Sequence, residues 1–498
     1  MKLLVVIPPV PSVDGRPQYP WYLREENHSS PDSTPMPPHF APAMVGRVRQ
    51  EFGKGLQVMV HDGLLHRFSL DELRHEVVEW GADAVLLMIG MDILEHDAYF
   101  ADLPCPVIAQ MCPVTLDPVD AIALYGLKIP YFLYGGESEQ SLAAALKELS
   151  VSGEIVTAPG IVINRDGAVA KTQFPDPSDL QTFALPAYDL FPMQEYLARQ
   201  KQLEKRSEYW NSALLKTMKG CLFKCVFCTC SAVGQQARYK SVEQVVGEIE
   251  YLRNNCGIDR FVVIDSEFGV NLPRAKEICR ELIEKKMSVR YLVNNRVDLV
   301  DEELVGLMKE SGCELMRFGI ESADPKVQRK IEKKIDLIRA AQSIRITRAA
   351  GIPVNLFFLV GLPGEDGETL RMNADFIVNN QADSYSMGRV FLIPNTVLYR
   401  QIKSEGKLLV SDWQLYRKNE MYQFLHEYYH DLRQLKHAER HLLNMINRKR
   451  LTSYKMGRMN ERIYMFLSSF GVFSFFVKEK FPRIHRVCKA FFKKALQA

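Results

Sequence analysis

Lys219-Gly220-Cys221-Leu222-Phe223-Lys224-Cys225-Val226-Phe227-Cys228 sets three cysteines at C-x3-C-x2-C spacing. Three thiolates from one short loop hold three irons of a cubane cluster. The fourth iron is left open, and an open metal position is what a substrate or cofactor needs in order to bind. Cys230 follows two residues later and could complete a four-cysteine site. Zinc sites, however, usually pair two CxxC units across a spacer, and no second unit is present. A three-thiolate cluster with Cys230 beside it is the expectation, with a four-cysteine site as its rival.

Downstream, strand-length apolar runs alternate with helical patterns: Phe261–Ile264, Val289–Val293, Leu315–Ile320, Val354–Val360 and Val390–Ile393. Ser241-Val242-Glu243-Gln244 reads as a capping box, opening a helix whose apolar face is Val245, Val246, Ile249 and Leu252. Asp301 can cap another helix, with Leu304, Leu307 and Met308 inward. With a strand expected just before Cys221, the rhythm predicts about six β/α units over 211–400, a partial barrel of the TIM type. In such barrels the chemistry sits at the C-terminal ends of the strands.

Those strand ends are polar. Asp265-Ser266-Glu267 follows one strand, Asn294-Asn295-Arg296-Val297-Asp298 the next, and Glu321-Ser322 a third. Gly361-Leu362-Pro363-Gly364-Glu365 follows the fourth, its glycines suited to tight turns and close backbone approach. Carboxylates suit an ammonium, and the Arg296 fork suits a carboxylate, although an ion pair with Asp298 or Glu321 would also occupy it.

Taken in order, the cysteine motif, N-x-R-V-D, F-G-I-E-S, G-L-P-G-E and Ile393-Pro394-Asn395-Thr396 resemble the radical S-adenosylmethionine (SAM) superfamily over 211–400. The resemblance implies a [4Fe–4S] cluster on Cys221, Cys225 and Cys228, whose open iron is chelated by SAM. It implies reductive cleavage of SAM to a 5′-deoxyadenosyl radical that abstracts hydrogen from an unactivated C–H bond. Phe227 then packs near the adenine, and Asp265, Ser266 and Glu267 face the SAM amino group. Asn294 and Arg296 lie at the next strand end, with Arg296 meeting the SAM carboxylate. Glu321 and Ser322 line the ribose and methionine, with Gly361 and Leu362 at the turn beyond. A flavodoxin- or ferredoxin-type electron donor follows.

Residues 1–150 read as an open Rossmann-like α/β domain, with apolar runs Leu3–Ile7, Leu56–Val60, Ala84–Ile89, Val107–Met111 and Tyr131–Tyr134 and a helical stretch Leu70–Trp80. A Pro- and Ser-rich stretch runs from Pro8 to Pro42, and residues 151–210 read as a linker with a turn at Asp166-Gly167. Pro8-Pro9, Tyr134-Gly135-Gly136-Glu137 and Leu185-Pro186-Ala187-Tyr188-Asp189-Leu190 resemble the cobalamin-binding-type domain of one radical SAM branch. That branch includes anaerobic protoporphyrin ester cyclases and C- and P-methyltransferases. This chain lacks a D-x-H-x-x-G run, since His61-Asp62-Gly63 has the wrong order. Cobalamin binding and a retained scaffold both stand as readings. Methylation follows from the first, and cyclisation, epimerisation or rearrangement from the second.

Residues 401–498 read as helical. From Asp431 onward there are 16 Lys/Arg against 4 Asp/Glu, although the whole chain of 498 residues carries only +3. The aromatic run Ile463–Val477 and the basic segment after it suit either peripheral membrane contact or a helical cap with a solvated face. No apolar run reaches the ~20 residues of a spanning helix, and Met1–Ile7 reads as a buried strand rather than a signal, so the expectation is cytoplasmic. Ten cysteines in 498 residues, four of them within 221–230, are too sparse for a disulfide scaffold, and no RNA-binding module is evident. A small-molecule, lipid, peptide or tetrapyrrole substrate remains open. The reading from another class is an electron-transfer or binding protein with a four-cysteine cluster.

Overall fold

In the computed structural model the chain is described at residues 1–7, 12–13, 16–17, 36–63, 65–66, 69–89, 97–111, 117–203, 211–232, 236–394, 396–409 and 424–453. Most of the Pro-rich stretch, Asn395 and the basic segment beyond 453 lie outside the described residues.

The first sheet takes β1 (Lys2–Ile7), β2 (Gln57–Asp62), β3 (Ala84–Ile89), β4 (Val107–Met111), β5 (Tyr131–Leu133), β6 (Ile161–Arg165) and β7 (Ala168–Lys171) in the order β2-β1-β3-β4-β5-β6-β7. The strands up to β5 pair in parallel, and β6 and β7 then pair antiparallel. Helices α1 (Phe40–Phe52), α2 (Leu70–Trp80), α3 (Asp97–Ala101), α4 (Pro118–Tyr125) and α5 (Ser138–Ser152) connect or cover them. Leu4, Val6, Val85 and Leu87 pack one face while Leu3, Val5, Ala84 and Leu86 pack the other. Both faces are therefore buried, as a parallel sheet requires. Asp166 and Gly167, at φ 53 and 90, turn β6 back into β7. The domain thus runs to Lys171, past the boundary read at residue 150, because this short polar-edged hairpin carries little apolar signal.

After α6 (Met193–Leu203), the second sheet is all parallel. It holds β8 (Ser212–Leu215), then β11 (Arg260–Val263), β12 (Arg290–Asn295), β13 (Cys313–Glu321), β14 (Val354–Val360) and β15 (Ser384–Arg389), in that spatial order. A two-residue ladder, β9 (Met218–Lys219) with β10 (Arg238–Tyr239), flanks the cysteine loop and the short α7 (Thr229–Ala232). Helices α8 (Val242–Cys256), α9 (Leu272–Glu284), α10 (Glu302–Glu310), α11 (Pro325–Lys330), α12 (Leu337–Ala349) and α13 (Gly367–Asn379) intervene. Ser241 and Gln244 form the expected capping box, and Asp301 accepts from the Leu304 amide at 2.7 Å. Each such cap contributes about 1 kcal/mol.

The last strand is displaced from its expected place. Val390–Ile393 leaves the sheet, and Val390 and Leu392 pack with Val226 and Leu398, while Ser384–Arg389 forms the edge strand. Ser384, Ser386 and Gly388 occupy its lumen-facing positions, so its apolar signal is weak. Beyond lie α14 (Val397–Ser404) and α15 (Leu432–Ser453), the latter against α13. No helix among the described residues is long and apolar enough to cross a membrane.

The two sheets meet through buried polar contacts. Tyr188 Oη donates to Glu248 Oε1 at 2.7 Å and lies 3.0 Å from His39 Nδ1, and Lys240 Nζ reaches the other Glu248 oxygen at 2.5 Å. Glu139 pairs with Lys219 and Glu137 with Arg238, so the Tyr134-Gly135-Gly136-Glu137 turn pins the ladder beside the cysteine loop. Tyr188→Phe leaves a buried carboxylate short of a donor. It should lower unfolding stability by about 1–3 kcal/mol, read as a drop in the denaturant midpoint.

Candidate active site

The cysteine loop is held at Val226, directly after Cys225. The Val226 amide donates to the Ile331 carbonyl (3.1 Å), and the Val226 carbonyl accepts from the Leu398 amide (2.9 Å). Phe227 is half-buried in the adjoining apolar cluster with Val327, Ile331 and Leu362. Upstream, Asp265 anchors the loop's entry. It accepts from the amides of Thr217 (2.6 Å) and Met218 (3.1 Å) and from the Thr217 hydroxyl. Asp265 is therefore committed inside the protein, unlike its neighbours Ser266 and Glu267.

Cys221, Cys225 and Cys228 carry no disulfide. Burial pushes the Cys221 thiol up to about 11 and raises Cys225 as well, and contact with the Cys230 thiol raises Cys228. Buried thiols gathered this way are costly to ionise unless a metal neutralises them. Among the described residues no three such side chains converge on one point as they would around a single ion. A cubane bonds each thiolate to a different iron, so cysteines spread along one loop suit it. Cys230 turns to Ser266, with Sγ and Oγ 3.2 Å apart.

Four charged side chains surround Cys225. Glu267 is half-buried, accepts from the Arg296 amide, and keeps a buried Oε2 without a hydrogen-bond partner. Burial pushes its carboxyl up to about 7, against the pull of Lys333 and Arg296. Lys333 Nζ donates to Glu321 Oε1 at 2.9 Å. The Arg296 guanidinium donates from Nη2 to the Lys333 carbonyl (2.6 Å), sits 2.7 Å by Nε from Asp298, and stacks 4.1 Å from the centroid of Phe223. The rival sequence reading for Arg296, an ion pair with Asp298, is thus the one present. Its fork is turned away because Asp298 lies only two residues on, across the same strand end.

Lys333 is the residue sequence reading missed. It sits on an irregular loop where Glu332 and Lys334 take φ 54 and 53, so no periodicity marks it. Glu321 itself sits at φ 63, where β13 shifts register against β14. Such a backbone costs on the order of 1–3 kcal/mol and persists only where surroundings enforce it. Gln328 does so, donating to the carbonyls of Ile320 (2.8 Å) and Ser322 (2.6 Å). Ser322 Oγ accepts from the Asp324 amide at 3.2 Å, a local cap. Asn294 Oδ1 is buried without a hydrogen-bond partner, while Asn295 Oδ1 accepts from the Gly269 amide.

The Gly361-Leu362 turn serves packing. Gly361, at φ 89, donates to Glu365 Oε1 (2.9 Å), and a Cβ there would meet Leu435 Cδ1 at 2.9 Å. Leu362 is fully buried, and its carbonyl meets His426 Nε2 at 2.8 Å. Tyr429 Oη donates to Glu365 Oε1 at 2.6 Å, locking the turn to the C-terminal region. Burial pushes the Glu365 carboxyl up to about 7 from 4.5. A carboxyl raised on folding gives stability that is complete below the unfolded value and lost as pH rises through the folded one. Glu365→Gln should therefore gain relative to wild type, by on the order of 3 kcal/mol, between about pH 5 and pH 8. Urea midpoints at both pH values check it, and a pH-independent difference would refute it.

Fold and loop together describe a β/α barrel whose strand ends are polar and stand beside a thiolate-rich loop. Residues 215–377 match the family model of the radical SAM superfamily, and this stretch is a radical SAM domain. The chain is similar to an uncharacterized methyltransferase of Pyrococcus horikoshii, 27% identical over 284 residues, 56% of this chain and 60% of the relative. It is also similar to an anaerobic magnesium-protoporphyrin IX monomethyl ester cyclase of Rubrivivax gelatinosus, 24% identical over 348 residues, 67% of this chain and 60% of the relative. The chain thus aligns with about 60% of the length of each of these relatives. Its fold resembles the radical SAM methyltransferase TsrM of Kitasatospora setae with cobalamin and a [4Fe–4S] cluster bound, at TM-score 0.63 and 20% identity, over 81% of this chain and 78% of that one. The N-terminal Rossmann-like domain and the barrel are both within that likeness.

Proposed function

We propose that this chain is a radical SAM enzyme that methylates an unactivated carbon, its N-terminal domain holding cobalamin. The observation that carries this reading is the radical SAM domain joined to an α/β domain, the pairing of the cobalamin-bound TsrM fold. When bound, the cluster and SAM supply reductive cleavage to methionine and a 5′-deoxyadenosyl radical.

The chain's own residues then have distinct tasks. Cys221, Cys225 and Cys228 hold the cluster on a loop fixed at Val226. Glu267 offers its unpartnered oxygen to the SAM ammonium, with Ser266 beside it. Lys333, with Arg296 behind it, supplies positive charge for the SAM carboxylate. Glu321 lies by the ribose, and Phe227 offers an aromatic face to the adenine. The described residues supply no histidine poised for cobalt, since His61 pairs with Glu76 on α2, and the Gly135 turn is closed by Phe174. Cobalamin would therefore be held without a ligand from these groups.

Anaerobic reconstitution with iron and sulfide, then dithionite and SAM, tests the reading, with cobalamin added or omitted. 5′-Deoxyadenosine together with cobalamin-dependent S-adenosylhomocysteine supports methyl transfer. 5′-Deoxyadenosine alone, indifferent to cobalamin, would move the protein to the cyclase class of its second relative.

A further inference from the structure

The second half of the cysteine loop is walled partly by residues C-terminal to the barrel. Val226 and Leu362 share one apolar cluster with Leu398 and Phe424, and Phe227 packs against it. Phe424 begins a short strap that ends at Tyr429. Its start is anchored, because the Leu425 amide donates to the Lys407 carbonyl at 2.8 Å. Phe424, His426 and Tyr429 are buried, and Leu425, Glu427 and Tyr428 are exposed. Three strap side chains then tie the wall. His426 Nε2 lies 2.8 Å from the Leu362 carbonyl. Tyr429 Oη donates to Glu365 Oε1 at 2.6 Å, and the same oxygen accepts from the Gly361 amide at 2.9 Å. Glu427 pairs with Lys330 of α11 at 3.1 Å. That exposed pair is screened by water and adds little, so the two buried hydrogen bonds hold the strap.

The protonation of His426 follows from its neighbours. Nδ1 accepts from the amides of Tyr428 (2.9 Å) and Tyr429 (3.3 Å). Nδ1 therefore carries no proton, and Nε2 is the donor to the Leu362 carbonyl. Burial pushes His426 below its usual range, which favours this neutral form. One imidazole thus closes the strap on itself and fastens it to the turn after β14. The Leu362 carbonyl also accepts from the Glu365 amide at 3.1 Å, so its direction is fixed twice. We propose that His426 is a positioning residue for SAM: by fixing Leu362 it holds the wall that turns Phe227 toward the adenine. The inference rests on the reading of Phe227 as the neighbour of the adenine. His426 acts through Leu362 and not by contact with the cofactor.

Equilibrium dialysis of SAM, and separately of methionine, against the reconstituted and unreduced protein tests this. In His426→Asn the side-chain oxygen replaces Nδ1 but stops short of Leu362. In His426→Gln the amide nitrogen replaces Nε2 and reaches it. SAM should bind roughly fivefold more weakly to His426→Asn, the worth of one buried hydrogen bond, and His426→Gln should recover most of that loss. Methionine, which has no adenine, should bind all three proteins alike. Tyr429→Phe cuts the strap's other buried hydrogen bond and should show the same split between SAM and methionine. In a Phe227→Leu background the His426→Asn loss should vanish, because both changes act through one wall. An unchanged SAM affinity in His426→Asn, an equal loss for methionine, or a full loss persisting with Phe227→Leu overturns the proposal. Wild-type protein that assembles its cluster yet binds no SAM overturns the radical SAM reading itself, a separate outcome.

Discussion

Cys225→Ala is expected to abolish iron incorporation and SAM cleavage together. Of the three motif cysteines Cys225 is the buried one, and its loop is fastened through both backbone groups of Val226 beside it. Removing one of only three cluster thiolates leaves a second iron without a protein ligand, and a cubane held by two cysteines is not retained. 5′-Deoxyadenosine formation should fall by at least about a thousandfold, since the radical route has no substitute in side-chain chemistry. The 400 nm absorbance region and the iron content should fall with it. Cys230→Ala is the discriminating control. Its sulfur lies against Ser266 as well as against the Cys228 thiol, but three motif thiolates remain without it, so the variant should keep iron and sulfide at wild-type stoichiometry. Loss of the cluster in Cys230→Ala would instead restore the four-cysteine reading.

The second large effect falls on Glu267→Gln. Glu267 keeps one buried oxygen unpartnered beside the cysteine loop, a costly arrangement in the absence of a cationic guest. A buried charge-assisted hydrogen bond to an ammonium is worth about 2–3 kcal/mol, so SAM affinity should fall roughly 30- to 100-fold. Cluster assembly should be untouched, because Glu267 is not among the thiolates. Equilibrium dialysis with SAM on the reconstituted protein reads the affinity, and iron analysis reads the cluster. Unchanged SAM affinity would remove Glu267 from the site and leave the ammonium to Ser266 and backbone carbonyls.

Local sequence carried much of this. The cysteine spacing was legible because it is a property of adjacent residues on one short loop. Val354–Val360 and Val107–Met111 read correctly as strands because buried parallel strands are continuous apolar runs. Ser241 and Asp301 were legible as caps because a cap is settled within four residues. Tertiary structure decided the rest. Ser384–Arg389 was hidden because its inward positions are polar, a requirement of the lumen and not of the strand. Asp265 was diverted to Thr217, and Arg296 to Asp298, by partners that only the closed barrel or its strand end brings within reach. Lys333 gains its meaning from a neighbour on another element, Glu321 on β13. The sequence by itself determined which chemistry the loop can hold, because covalent neighbours set it. Which side chains face that chemistry was decided only by folding, because charge pairing and burial act across space.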